Sequence, residues 1–367
     1  MRARTASRIR VVRAAGTAVD CRVRKEADVY VGIDLHKAFL QVAAIDKSGK
    51  ILLEEKVAND RNKIRRFLAR FPKRTRYVLE ASSVSQGVTE FMLDDLGLDL
   101  VVSGPFHNKV IAMSKKTDKV DARVLAAMLR DDAIISSYVP DRQTAEDREL
   151  VRHRQSVSRS RTTYKIKIRS ILLQAGTKVK GHAWSEEFVD NLRRLKDYRI
   201  DNYLDMIRTL DGMAGVLDIR IAARASEIDD AMRLKKIPGV GYFWALVFVS
   251  EIGDITRFRH PGQLVSFAGL APSVRGSAGK VRGGGGITKR GDSLLRHAAV
   301  QVAMTHVRVA RDTAFTRFYE RLAEGRGMPK ARVATGAKIL RAVFRMLADG
   351  REYAPHHGQN PRPRLNS

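Results

Sequence analysis

The sequence predicts an α/β domain followed by a mainly helical remainder. Three observations carry that prediction. Between residues 29 and 102, short apolar runs of strand length alternate with turn residues and helical patterns. From Thr144 to Lys236 such runs vanish, and polar segments with apolar residues at helical spacing take over. A third stretch opens on a Pro-Gly turn and continues in helices to about residue 350.

In the first stretch, Val29 to Asp34 reads as a buried strand and Phe39 to Ile45 as a second, ahead of the turn Asp46-Lys47-Ser48-Gly49. Ile51 to Val57 is the third strand. Asn59 is the expected cap of a helix to about Phe71, with Ile64, Phe67 and Leu68 on one face. Tyr77 to Glu80 makes a fourth strand, Gln86 to Leu96 a helix and Leu98 to Val102 a fifth strand. Helices at Phe106–Met113 and Asp118–Arg130 complete the series. Three meandering strands followed by alternating helices and strands is a ribonuclease H-like, resolvase-like order, assigned to residues 29–143.

The chain of 367 residues is long enough for two domain cores. No apolar run approaches the roughly 18 residues of a membrane span, so a soluble protein of the cytoplasm, nucleoid-associated in a prokaryote, is expected. Sixty-eight Lys and Arg against 40 Asp and Glu leave a net charge of +28. A surplus of that size repels itself in a compact state unless a polyanion offsets it, which points to nucleic acid rather than a merely solubilising surface. A single cysteine, Cys21, excludes an internal disulfide and a thiolate zinc cluster. Residues 1–28 are Arg-rich without an apolar signal core; a disordered basic arm is expected, with a transit-like segment and an early start codon as the other readings.

Residues 144–233 read as long helices, an antiparallel coiled coil, with Ile166, Ile168, Ile171 and Leu172 and later Leu204, Ile207 and Leu210 as apolar residues at helical spacing. Its first part is basic, including Arg148, Arg152, Arg154, Arg161 and Lys165. This is either a solvated helix face or a stripe that tracks phosphates. At 234–350, Ile237-Pro238-Gly239-Val240-Gly241 resembles a helix-hairpin-helix turn, whose glycines Gly239 and Gly241 let backbone N–H groups approach a phosphate. A plain Pro-Gly turn between packed helices has the same sequence. Helices are expected at Gln263–Gly269, Asp292–Val309 and Arg332–Leu347, then a disordered tail at 351–367.

Four acids stand out by position: Asp34 in the first strand, Glu80 at the end of the fourth, and Asp118 and Asp121 one turn apart at a helix start. Residues i and i+3 project from one helix face, and the first and fourth strands of such a sheet are neighbours, so all four converge. Hard oxygen donors of this kind suit Mg²⁺. Each acid alone has a bland role: Asp118 sits where a helix dipole favours it, and Glu80 at a strand end. Asp34 is harder to dismiss, because an acid in an apolar strand needs pairing or coordination.

Tyr30-Val31-Gly32-Ile33-Asp34, Leu79-Glu80-Ala81-Ser82 and Lys116-Thr117-Asp118-Lys119-Val120-Asp121-Ala122-Arg123 resemble the DEDD domain of the insertion sequence 110 family of transposases. Ile237 to Gly241, Phe267-Ala268-Gly269-Leu270-Ala271-Pro272, Ser277-Ala278-Gly279-Lys280 and Gly286 to Asp292 resemble that family's second, transposase domain in the same order. The resemblance spans about residues 29 to 350. It implies Mg²⁺ on the carboxylates, a serine that attacks the DNA backbone, and element-end and target double-stranded DNA as substrates. It also implies a structured bridge RNA as guide, and a homo-oligomer, dimer or tetramer, whose two domains come from different protomers. Ser277 matches the nucleophile position, and Ser273 reads as a loop serine. Lys280, Arg282, Lys289 and Arg290 are then placed to hold the phosphate, with Gly283 to Gly286 as a flexible loop expected to be locally disordered without DNA. The alternatives are a resolvase-like nuclease that directs water from the four acids, and a non-catalytic nucleic-acid-binding protein.

Overall fold

The computed structural model describes residues 27–82, 85–104, 118–277 and 280–355, without the side chains of 118–119 and 274–285. The basic arm up to residue 26, the helix predicted at Phe106–Met113 and the tail beyond residue 355 lie outside the described residues. The chain divides into two compact units, one ending at Arg142 and one beginning at Gln143.

In the first unit, β1 (Val29–Leu35), β2 (Phe39–Asp46) and β3 (Ile51–Ala58) form an antiparallel meander. On the other side of β1, β4 (Thr75–Glu80) and then β5 (Asp99–Ser103) join in parallel, giving the order β3-β2-β1-β4-β5. Parallel neighbours need crossovers, which are helices here. The first carries α1 (Arg61–Leu68); the second carries α2 (Gln86–Glu90), continued by a π-helical turn at Phe91–Asp95.

Strand alternation sends Val31, Ile33, Val42 and Leu79 to one face, where they form a core with Ile64, Phe67, Phe91 and Met92. Each such fully buried side chain contributes about 1.5–3 kcal/mol. The α1 cap differs from expectation. Asp60, not Asn59, accepts the N–H of Lys63 at 2.9 Å, while the Asn59 amide donates to the Lys37 carbonyl at 3.2 Å and ties down the β1–β2 connection.

The opposite sheet face is covered by α3 (Asp118–Arg130), whose Leu125 and Leu129 pack on Val78. The helix lies across β1, β2 and β4, and its closest approach falls on Gly32. A Cβ there would stand 2.1 Å from the Ala122 carbonyl oxygen and 2.6 Å from the Ala126 nitrogen. At the other end of α3, the Arg130 guanidinium lies over Gly49, in the turn joining β2 to β3. The helix therefore runs opposite to β1, with its first turn directed to the C-terminal ends of β1 and β4. A bidentate Arg123–Glu54 pair fastens it to β3.

The second unit opens with α4 (Arg142–Gln174), followed by α5 (Glu186–Arg193) and α6 (Tyr198–Ser226). The two long helices run antiparallel. Asp147 pairs with Arg224 at 2.9 Å, Arg154 with Asp218 at 2.8 Å and Arg161 with Asp211 at 2.5 Å. The α4 partners are seven residues apart, two helical turns, so all three pairs flank one seam. The seam itself holds Ile168 and Leu172 against Ile200, Leu204 and Ile207, and Val157 against Leu210, Ala214 and Leu217.

Beyond it come α7 (Asp229–Leu234), α8 (Tyr242–Ile252), α9 (Pro261–Phe267), α10 (Ser293–Val309), α11 (Ala314–Arg326) and α12 (Met328–Asp349). These helices surround the fully buried Leu246 and Phe248 of α8. Val151 of α4 and Ile221 of α6 belong to that same buried cluster. The long helices and the C-terminal helices, separated at 233 in the sequence reading, thus share one core.

Two expectations change here. The glycine-rich stretch is an antiparallel hairpin, β6 (Pro272–Ser277) with β7 (Lys280–Ile287), rather than a loop. Between the register pairs Val274–Gly283 and Pro272–Ile287, β6 has one residue where β7 has three glycines, so the glycines absorb a bulge. The tail at 351–355 is held, not disordered. Ala314 donates its N–H to the Pro355 carbonyl at 3.1 Å, and the Tyr353 ring lies 6.2 Å from His306 and 6.4 Å from Phe315.

Gly32→Val drives a branched side chain into the backbone of α3. It is expected to lower stability by about 2 kcal/mol or more in urea unfolding, whereas Gly87→Ala, with open space around its Cβ, stays within about 0.5 kcal/mol.

Candidate functional site

The last register pair of β1 with β4 is Ile33–Leu79, so Asp34 and Glu80 are the next residues on the two strands. Both alternate away from the apolar core toward the α3 face, where they lie side by side at the C-terminal ends of two central strands. Asp121 lies on α3 one residue before Ala122, which contacts Gly32, and so belongs to the same edge. Asp118 opens that helix, and its side chain lies outside the described residues. The register thus sets the backbones of Asp34 and Glu80 side by side at the C-terminal ends of β1 and β4, and α3 crosses the same sheet face at Gly32. Among the described residues, no three acids, histidines or cysteines gather closely enough to hold a metal ion.

The Asp34 carboxylate is mostly buried and accepts a hydrogen bond from His36 Nε2 at 3.0 Å. His36 also stacks on Phe39 with ring centroids 4.5 Å apart. Sequence reasoning passed over this histidine, although its spacing two residues beyond Asp34 was the available signal.

In the second unit, Ser277 and Lys280 are the final register pair of the hairpin. Their side chains, and that of Arg282, lie outside the described residues. The foot of the hairpin is clamped. Thr288 donates its N–H to Ala271 at 2.9 Å, Lys289 to Gly269 at 3.0 Å, and Asp292 to Phe267 at 2.7 Å. Gly269 and Gly291 both have positive φ, and a Cβ on Gly291 would stand 2.0 Å from the Phe267 carbonyl oxygen. Lys289 and Arg290 sit exposed at this foot, Lys289 itself in the left-handed region at φ 54°. The Ser273 hydroxyl donates to the Gly286 carbonyl at 3.1 Å, a role in closing the hairpin.

Comparison with known proteins adds a decisive observation. A family described as transposase, defined on the DEDD domain of IS110 elements, matches residues 31–177. The Transposase IS116/IS110/IS902 family matches residues 231–320, so the two matches together span more than half of the chain. The chain belongs to the IS110/IS116 family of transposases.

Similar proteins include the transposase for insertion sequence element IS1111A of Coxiella burnetii, 27% identical over 361 residues, which cover 90% of this chain and 93% of that one. The putative transposase y4qE of Sinorhizobium fredii is 28% identical over 76% of this chain and 72% of its own length. The insertion element IS116 uncharacterized 44.8 kDa protein of Streptomyces clavuligerus is 25% identical over 89% of this chain and 96% of its own. As an IS110/IS116-family transposase, the protein cleaves and rejoins DNA.

The transposase engages several of its predicted phosphate contacts internally. Arg154 and Arg161 are held by carboxylates of α6, as described above. Lys165 lies 4.6 Å over the Trp184 ring, and burial, then Arg161, lowers its pKa. Gly239, at φ 94°, faces inward, where a Cβ would meet the His306 nitrogen at 3.0 Å. Gly241 begins α8 with open space around it. Of the two turn glycines, then, one serves packing and one faces outward.

Arg148 and Arg152 converge on Glu251. That carboxylate is 1% exposed, takes two 2.7 Å bonds from Arg152, and has Arg148 3.8 Å away. Burial raises the Glu251 pKa, opposed by the hydrogen bond from Arg152. A carboxyl raised in the folded state stabilises the fold below its ordinary range, and that contribution is lost as pH rises through the shifted value.

Arg152→Met removes the main opposing charge and should steepen this loss. Because Arg152 is more than half exposed and Arg148 remains nearby, the expected destabilisation is about 2 kcal/mol near pH 8, below the 3–5 of a fully buried pair. Urea unfolding near pH 5 should show a smaller deficit; equal deficits at both pH values would refute the assignment.

Proposed function

We propose that the protein is the recombinase of an insertion sequence in which Ser277 is the nucleophile and Asp34, Glu80, Asp118 and Asp121 hold Mg²⁺. A structured bridge RNA guides its choice of element-end and target DNA. The observation that carries the carboxylate half is the direction of α3. Its first turn meets the ends of β1 and β4 at the edge where Asp34 and Glu80 emerge. We read the first unit as ribonuclease H-like; an antiparallel meander continued by two parallel strands in the order β3-β2-β1-β4-β5 supports that reading.

The donor set consists of hard carboxylate oxygens, the chemistry Mg²⁺ prefers, and a bound ion would supply positive charge to a phosphate under attack. In the proposed step, the Ser277 oxygen bonds to phosphorus as the bond to the leaving strand's oxygen breaks. The serine proton passes to a base and the leaving oxygen takes one up. One phosphodiester becomes a phosphoserine ester, so the link is conserved for rejoining to a new hydroxyl. Lys289 and Arg290 at the hairpin foot, with Lys280 and Arg282 on β7, balance phosphate charge. Carboxylates and hairpin belong to different units, and the acting form we propose is a homo-oligomer, dimer or tetramer. We place it in the cytoplasm, at the nucleoid; among the described residues no helix is long and apolar enough to cross a membrane.

Full-length protein incubated with element-end DNA, the flanking RNA and Mg²⁺ is expected to yield a protein–DNA adduct that survives denaturation. Ser277→Ala should abolish the adduct and strand cleavage together, by about 100-fold or more, while retaining DNA binding. Cleavage that persists without Ser277 would instead favour direct attack by water. Asp121→Asn, Asp34→Asn or excess chelator should each stop cleavage to a similar extent; cleavage that survives the chelator would remove the metal from the proposal.

A further inference from the structure

Within the second unit, α4, α8 and α10 enclose an open groove of about 900 Å³. Three arginines, Arg154, Arg159 and Arg296, line it, and it has no Asp or Glu among its lining residues. Such a cleft focuses positive potential on whatever enters it. Aromatic rings form part of its wall. Phe243 and Trp244 lie side by side with centroids 4.6 Å apart, and His297 stands edge-on to Trp244 at 5.6 Å. Burial, then the charge of Arg159, lowers the His297 pKa, which favours the uncharged ring.

The arginines differ in freedom. Arg154 is fixed by Asp218, and Arg296 donates to the Ala268 carbonyl at 2.9 Å beside the hairpin foot. Arg159 is exposed, and among the described residues no carboxylate pairs with it. The remaining lining is uncharged and polar, including Gln155, Thr162 and Gln301. A cationic trough with half-buried aromatic rings suits a polyanion whose flat groups are free to leave their own stack. Paired bases inside a duplex stack on one another and do not reach a recessed ring, whereas unpaired bases do. Strand exchange also produces unpaired bases that need a holding surface. Ser293, on the groove wall, follows directly after the clamped foot Lys289–Asp292, so the trough begins where the hairpin ends.

We propose that this groove binds single-stranded polynucleotide, with an unpaired base stacked on Trp244 and the flanking phosphates facing Arg159 and Arg296. The site rests on the reading of the chain as a DNA-handling transposase and adds to it a second, single-strand-specific contact. Both unpaired DNA and unpaired RNA carry this chemistry.

The chain has two tryptophans, so the full-length protein with Trp184→Phe reports on Trp244 alone. It and the variants below are titrated with end-labelled homothymidine DNA, homouridine RNA and duplex of about twelve nucleotides, so that the anisotropy of the label gives affinity in every variant and Trp244 emission reports stacking where that ring is present. The single strands should quench Trp244 emission, and the duplex should bind without quenching. Arg159→Gln and Trp244→Leu are each expected to weaken single-strand binding about ten-fold and to change duplex binding less than two-fold. Trp244→Phe keeps a stacking ring and should restore affinity to within about three-fold. Whichever single strand binds more tightly names the natural source, and equal binding assigns the groove to both. Single-strand binding without quenching, or equal losses for duplex and single strands, would overturn the groove. Duplex binding with no single-strand binding also removes it but leaves the transposase reading intact; failure to bind either polynucleotide would remove both.

Discussion

The first unit depends on a contact that contains no side chain on one side. At Gly32 the backbone of α3 comes so near to β1 that no L-residue with a Cβ fits. Helices normally ride about 10 Å above a sheet on their side chains, and that separation would carry the start of α3 away from the strand ends. Removing one Cβ lowers the helix onto the sheet. Arg130 over Gly49 and the Arg123–Glu54 pair then fix its direction and stop it from rotating. The course of α3 past the C-terminal ends of β1 and β4 is therefore a product of packing at Gly32, two residues before Asp34. Loss of the close approach would shift the acids without altering any of them.

The second unit uses the same device for a different end. Gly269 and Gly291 let the chain fold back on Phe267 at the clamped foot of the hairpin, while the glycines of β7 absorb its bulge. Charge is partitioned in a similar way. Arg148, Arg152, Arg154, Arg161 and Arg224 are all taken up by carboxylates or carbonyls within the unit. The net surplus of +28 is thus expressed by other cations, of which Arg159, Lys289 and Arg290 are exposed near the groove and hairpin. A count of basic residues along a helix overstates how many of them can meet a phosphate.

Strand order was legible because it follows from local alternation, in which Asp34 interrupts an apolar strand; that Asp118 and Asp121 share a helix face is an expectation from their i, i+3 spacing. The proximity of β1 and β4 followed from the order of elements and appears in the Ile33–Leu79 register. The role of Gly32 was not legible, since its partner Ala122 lies ninety residues away and a strand glycine has several local explanations. Asn59 and Asp60 are both good caps in adjacent positions, and only the tertiary contact of Asn59 with Lys37 decides between them. The hairpin was missed because glycine has poor strand propensity, and its pairing relies on a bulge and a clamped foot. The groove at Trp244 draws on three helices distant in sequence, and no local pattern announces it. Ser277 is marked in the sequence by resemblance alone, since a serine before Ala-Gly is ordinary in a turn.

The antiparallel pair of α4 and α6 has a mechanical meaning. At 1.5 Å per residue, the 33 residues of α4 make a rod about 50 Å long. That is roughly the length of fifteen base pairs at 3.4 Å each. Three ion pairs spaced every two turns resist sliding of one helix along the other, so the rod transmits displacement along its length rather than absorbing it. Its base is welded into the C-terminal core through Val151 and Ile221. The seam therefore makes the two helices one stiff rod anchored in the core of the helices that carry the hairpin.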